Sequence, residues 1–227
     1  MKVITIDGPV ASGKSTVSKA IAQRIGFQHL SSGMLYRALA FLLVREADYS
    51  KKNLDSVSNK DIYHFLDSKC FNYIFEDDGT FHVLWKGKDL FPLLKFEDVD
   101  QYASIISKNE LVRELFLKLQ REIGARYDLV VDGRDSGSVV FPNALLKFYL
   151  TASLPVRAER WAYVQRKLGN NVTLEVAVKE IKERDERDKN RKIAPLMIPE
   201  GAIVIDNSCK TIQETVSEME KYFKALI

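Results

Sequence analysis

The sequence predicts an α/β fold, with helices packed on a parallel sheet. Three observations carry this prediction. Short β-branched apolar runs recur at residues 3–6, 129–131, 146–150 and 202–206. Each is largely apolar and too short for a helix, as strands buried in a sheet are. Segments with apolar residues at helical spacing separate these runs, and crossovers between parallel strands need such helices.

The first strand, residues 3–6, ends at Asp7-Gly8. A Gly- and Ser-rich loop follows, and Val17, Ala20, Ile21 and Ile25 then recur at helical spacing until Gly26 stops the helix. Residues 36–46 read as a second helix and 48–60 as a polar connection. Residues 71–75 and 81–85 are aromatic and β-branched and flank Glu76-Asp77-Asp78-Gly79-Thr80, a hairpin pattern. Residues 98–124 read as helix in two pieces, broken near Lys108-Asn109. Strands follow at 129–131 and 146–150. Two charged helices, 155–168 and 173–192, are joined by Gly169-Asn170-Asn171. A strand at 202–206 and a helix at 211–226 complete the pattern. The stretch of roughly 60–105 reads as an insertion into the α/β core, and no internal repeat is present.

Composition excludes several classes. With 227 residues, 46% hydrophobic and 29% charged, the chain suits one large domain or a core with an insertion. Disordered, collagenous and low-complexity classes do not fit. Lys plus Arg minus Asp plus Glu is 34 − 31 = +3, no sign of a dedicated nucleic-acid binder. Cys70 and Cys209 have no CxxC spacing and no adjacent His, so they read as reduced thiols rather than a disulfide framework or a zinc site. The longest notable apolar run, 38–44, is flanked by Arg37 and Arg45 and falls far short of the roughly 18 residues that span a bilayer. The opening MKVITIDG meets Asp7 too soon for a signal peptide. The expectation is a soluble cytoplasmic protein with neither a membrane nor a nucleic-acid partner.

Gly8-Pro9-Val10-Ala11-Ser12-Gly13-Lys14-Ser15 fits G-x-x-x-x-G-K-[ST], with a strand before it and a helix after it. Gly13 lets the backbone approach closely, so that N–H groups can face phosphate oxygens, and the helix start adds its positive end. Lys14 would reach the β- and γ-phosphates of ATP, Ser15 would hold Mg²⁺, and Thr16 would contact the α-phosphate. Asn59-Lys60-Asp61 misses the guanine-reading pattern, because Ile62 stands where Asp is needed. Asp132, closing the strand at 129–131, is placed like an acid that orders Mg²⁺ through water; a turn or helix-cap role is the plainer alternative. His29, His64 and His82 are isolated and read as structural or surface residues.

Within residues 179–192, seven are basic and five acidic. A solvated helix face with i,i+4 pairs is the plain reading. Yet Arg184, Arg187 and Arg191 are spaced to share one helical face, and the planar fork of arginine suits phosphate.

Six stretches together resemble the bacterial cytidylate kinase family. They are ITIDGPVASGKST at 4–16, SGMLYRALA at 32–40, VRELF and LQR within 112–121, VVDGRDSGSVVFPNALLKFYLTAS at 130–153, RAER at 157–160 and EIKERDERDKNRKIAPL at 180–196. The resemblance implies a three-layer α/β/α P-loop NTPase fold with a parallel sheet. It divides the chain into a core of about 1–59, 106–154 and 171–227, an inserted monophosphate-binding subdomain of about 60–105 and a helical lid of about 155–170. It implies transfer of the γ-phosphate of ATP to CMP or dCMP by a monomer. ATP would lie on residues 8–16, that is on Gly8, Pro9, Val10, Ala11, Ser12, Gly13, Lys14, Ser15 and Thr16. The CMP phosphate would be held by Ser32, Arg37, Arg134 and Arg191. Cytosine would be read by Ser104, Arg113 and Asp135, and the ribose by Arg184 and Asp188. Arg157 and Arg160 would approach the transferring phosphate from the lid. Lys14, Arg134, Arg157, Arg160 and Arg191 are thus the implied catalytic set. Individual arginines could exchange between base and phosphate. The chain departs from the family pattern at Ser31 (usually Asp), Trp161 (usually a second lid Arg), Lys95-Phe96 (usually Arg-Thr) and Ser136 (usually apolar).

Overall fold

The computed structural model describes residues 1–94 and 99–226, so the departure at Lys95-Phe96 lies outside the described residues. Five strands make one parallel sheet: β1 (Val3–Asp7), β2 (Gln28–Ser31), β6 (Leu129–Gly133), β7 (Leu146–Thr151) and β8 (Ile203–Asp206), in the order β2-β6-β1-β7-β8. β1 and β6 are buried at every position, which fits their apolar composition and central place. The register pairs Asp7 with Gly133 and Ser31 with Asp132. The carboxyl ends of three strands therefore lie side by side, where open α/β sheets bind their ligands.

Alternation along the strands sends side chains to two different cores. Ile4, Ile6, Val130 and Phe148 pack with Val17 and Ile21 of α1 (Lys14–Ile25) and with Val216 and Met219 of α8 (Ile212–Lys224). On the opposite face, Val3, Leu129 and Val131 pack with Leu35 and Leu39 of α2 (Ser32–Glu46) and with Val112 and Phe116 of α5 (Glu110–Gly124).

The stretch read as an insertion contains α3 (Asn59–Phe65), the antiparallel strands β3 (Phe71–Phe75), β4 (Phe81–Trp85) and β5 (Lys88–Asp89), and α4 (Val99–Ile106). Among the described residues it has no separate core. Phe65, Phe71, Phe81 and Val83 belong to the same apolar cluster as Leu39, Phe116 and Val131. In contrast, α6 (Leu154–Lys167) and α7 (Leu174–Asn190) meet through a small cluster of Ala158, Ala162, Ala177 and Ile181. Val10 and Ala11 of the loop pack at the edge of this cluster, and the polar contacts described below tie the pair to the rest of the chain.

Several elements differ from the sequence reading. β2 was not expected, because Gln28-His29-Leu30-Ser31 offers one strongly apolar residue; pairing with β6 imposes it. α2 begins at Ser32 rather than Tyr36. α7 stops at Asn190, since Arg191 is extended at φ −65° and ψ 140°. Arg191 therefore does not share a helical face with Arg184 and Arg187. A single π turn, Ser136–Val140, follows β6.

Gly8 sits where β1 passes into the loop, with φ +151°, and an added Cβ would lie 2.0 Å from the carbonyl oxygen of Leu150. Gly8→Ala is expected to destabilise the fold by about 2–4 kcal/mol through strain and forced displacement of β7. Urea unfolding measures this, and an unchanged midpoint would contradict so close an approach.

Candidate active site

The loop before α1 is built to face an anion. Gly13, the N-cap of α1, has φ +89° and contributes no side-chain cap, and the first turn holds no acidic residue. The first N–H groups of α1 therefore have no capping side chain. The Lys14 side chain folds back over the loop and donates from Nζ to the Pro9 carbonyl at 2.5 Å and to Ser12 Oγ at 3.2 Å. Burial pushes the Lys14 pKa well down and the nearby Arg134 charge adds to this, while Asp132 and Asp7 pull the other way. An anion in the cavity would favour the charged ammonium.

Asp132 closes β6 beside this loop. Its Oδ2 accepts from Ser15 Oγ at 3.0 Å and from Ser31 Oγ at 3.3 Å, and its Oδ1 lies 2.7 Å from His29 Nε2. Burial alone would raise its pKa; the His29 hydrogen bond and charge, followed by Lys14 and Ser15, outweigh burial and hold it below the usual carboxylate range. Asp132 is thus ionised at neutral pH. His29, read from sequence as structural or surface, is this carboxylate's buried partner; its isolation in sequence gave no signal of that.

Arginines and aspartates from separate elements pair around the same space. Arg134 Nε donates to Asp188 Oδ2 at 2.9 Å, and Arg184 Nε lies 3.7 Å from that oxygen. Asp135 accepts from Arg113 and, at 2.8 Å, from Arg191. Arg37 donates to Asp100 at 2.5 Å, and Arg184 donates to the Asp100 carbonyl at 2.8 Å. Burial lowers the pKa of Arg191, with Asp135 as the main opposing charge. For Asp188, the charges of Arg134, Arg184 and Arg191 overcome burial and hold the carboxyl down. Tyr36 is pushed up to about 12 by burial, so its phenol stays neutral.

A cavity of about 580 Å³ joins these groups. Of the residues singled out from sequence, Val10, Ala11, Gly13, Lys14, Ser15, Thr16, Ser32, Arg37, Asp132, Arg134, Asp135, Arg160, Arg184, Asp188 and Arg191 line it. Gly8, Pro9 and Ser12 lie in the loop but do not line it. Arg113 is buried behind Asp135. Ser104 is buried, and its hydroxyl has no hydrogen-bond partner among the described residues. Arg157 is not brought to the cavity: it is buried, pairs with Asp185 at 2.5 Å and donates to the Ala152 and Val10 carbonyls. Arg160 does line the cavity and donates to both Oδ1 and the carbonyl of Asn207. Sequence reasoning missed Tyr36, Asp100, Asn207 and Lys210 on the cavity wall. Only Asp100, paired with Arg37, carries a charge pattern that could have pointed to it.

The family model for cytidylate kinase matches residues 4–225. The chain belongs to the cytidylate kinase family. Curated relatives agree across the whole length. A cytidylate kinase of Thermotoga neapolitana is 39% identical over 218 residues, covering 96% of this chain and 94% of that protein. One from Marinomonas is 41% identical over 214 residues, covering 94% and 92%. Among solved structures, a shikimate kinase from Bacteroides thetaiotaomicron aligns at TM-score 0.50 with 12% identity over 98% of each chain, a likeness of fold alone. The parallel sheet with helices packed on it is thus an α/β fold shared with that protein.

One carboxylate holds two cytidylate-kinase motifs together. Asp7, fully buried at the end of β1, accepts from the backbone N–H of Ser136 at 2.8 Å and of Gly137 at 2.7 Å. Burial pushes its pKa up from 3.8 to about 6 despite these donors. The folded chain therefore binds this proton more tightly than the unfolded chain does. The stabilisation from that proton is full below about pH 4 and is lost as pH rises through about 6. Carboxyl ¹³C NMR should show Asp7 titrating near 6; a midpoint in the ordinary aspartate range would contradict the burial argument.

Proposed function

We propose that this chain transfers the γ-phosphate of ATP to CMP or dCMP, giving ADP and CDP or dCDP. The observation that carries the reading is Asp135, an ionisable carboxylate on the cavity wall gripped by Arg113 and Arg191. Cytosine offers an exocyclic amine that can donate to a carboxylate, whereas uracil offers an oxygen that a carboxylate repels. Ser104, whose buried hydroxyl has no hydrogen-bond partner among the described residues, is assigned to the base as part of this reading.

ATP fits the uncapped start of α1 with Lys14 on its terminal phosphates. The acceptor phosphate fits Ser32, Arg37, Arg134 and Arg191, and the ribose Arg184 and Asp188. Arg160 fits the transferring group from α6. Arg157 supports the loop from behind: its ties to Asp185 and the Val10 carbonyl link α6 and α7 to residue 10. The unit boundaries proposed are a core of about 1–59, 106–154 and 171–227, a monophosphate-binding segment of about 60–105 and a lid of about 155–170.

Ser15 and Asp132 give oxygen donors that suit Mg²⁺. Among the described residues no cluster of three His, Cys, Asp or Glu could form a protein cage, so the remaining ligands would be phosphate oxygens and water. When bound, the cation neutralises charge on the transferring phosphoryl group. The acceptor oxygen is already anionic at neutral pH, so no general base is needed. The chain's task is to align two phosphates, neutralise them and exclude water.

Among the described residues, no helix is long and apolar enough to cross a membrane. A cytoplasmic monomer acting on small molecules is the setting proposed.

An ADP-release assay with Mg-ATP and a panel of CMP, dCMP, UMP, AMP and shikimate tests the reading. CMP and dCMP should stimulate strongly, and Lys14→Ala should reduce that rate by at least about 100-fold, the scale of a lost transition-state contact. Stimulation by shikimate or AMP instead, or full activity in Lys14→Ala, would overturn it.

A further inference from the structure

We propose that His29 is a positioning residue for the cation-facing carboxylate of Asp132; this rests on the reading that Asp132 and Ser15 face Mg²⁺. His29 and Ser31 are two residues apart on β2, so their side chains share one face of the sheet. Together they hold the two oxygens of Asp132. His29 Nε2 takes Oδ1 at 2.7 Å, and Ser31 Oγ joins Ser15 Oγ on Oδ2. An ionised carboxylate only accepts, so Nε2 carries the hydrogen in this contact.

The backbone of His29 is fixed on both sides. β2 pairs with β6, and the His29 N–H donates to the Gly79 carbonyl at 2.7 Å in the β3–β4 turn. Both side chains are buried, with 9% of the His29 side chain and 6% of the Asp132 side chain exposed. Water therefore cannot replace the imidazole without rearrangement. Without it, Oδ1 would lack a donor and the carboxylate would turn toward Ser15 and Ser31 for both oxygens. Partners one step behind a metal ligand act in this way, fixing its orientation. The serine at position 31 makes the histidine matter more: Ser31 is neutral, so among the described residues Asp132 is the carboxylate that accepts from Ser15.

The test uses the full chain with Mn²⁺ and ADP, followed by electron paramagnetic resonance without turnover, and compares wild type, His29→Leu and His29→Gln. The Gln amide can donate from nearly the position of Nε2; Leu cannot. In His29→Leu the Mn²⁺ dissociation constant should rise roughly 10- to 100-fold, the range seen when such a partner is lost. His29→Gln should recover most of the affinity. In turnover, the Mg²⁺ half-saturation constant should move more than kcat. Histidine ¹⁵N NMR of the wild type should show a protonated Nε2. A folded His29→Leu with wild-type Mn²⁺ affinity overturns the proposal, as does an unprotonated Nε2 should that variant fail to fold. Wild-type protein that binds no Mn²⁺ with ADP overturns the metal reading itself, which separates the two failures.

Discussion

Buried positive charge must be answered, and the site follows from how this chain answers it. Moving a guanidinium out of water costs several kcal/mol unless an acid and further hydrogen bonds meet it. Here the acids come from different parts of the chain. Asp188 of α7 meets Arg134 after β6, and Asp135 meets Arg113 of α5 and Arg191 beyond α7, while the more exposed Arg37 of α2 meets Asp100 of α4. Each pair links two elements that the sheet alone would not fix. Each also keeps an arginine charged and aimed, so that a phosphate can exchange with or join the carboxylate instead of ordering a loose side chain.

The same logic explains how the loop and the strand ends act together. Asp7 fastens the π turn after β6 to the end of β1, and Asp132 gathers Ser15, Ser31 and His29 from α1 and β2. Both carboxylates stand at the carboxyl end of the sheet, where β1, β2 and β6 run in register. The antiparallel segment shares the main apolar cluster and so positions α4 firmly, whereas α6 and α7 meet through a smaller apolar cluster and reach the loop by polar contacts.

Much of this was legible in the sequence because the chemistry is local there. Gly13 and Lys14 are neighbours at the start of α1, and apolar runs marked β1, β6 and β7. What was not legible depends on contacts between distant residues. β2 has little hydrophobic signal, and pairing with β6 creates it. His29 looked isolated until β2 put it against Asp132, 103 residues away. Arg191 matched the helical period of α7 but lies one residue past its end. Arg157 belongs to a stretch expected to move, yet it is locked beneath the loop by Asp185 and backbone carbonyls. Spacing alone cannot say on which side of a backbone an arginine finds its acid.

Calorimetric titration of the full chain with CMP and with cytidine tests the central claim, that the paired arginines are arranged for a phosphate. CMP should bind at least about 100-fold more tightly than cytidine, the effect of two charge-assisted hydrogen bonds, and that advantage should shrink as salt rises. Equal affinity for CMP and cytidine, indifferent to salt, would contradict the account.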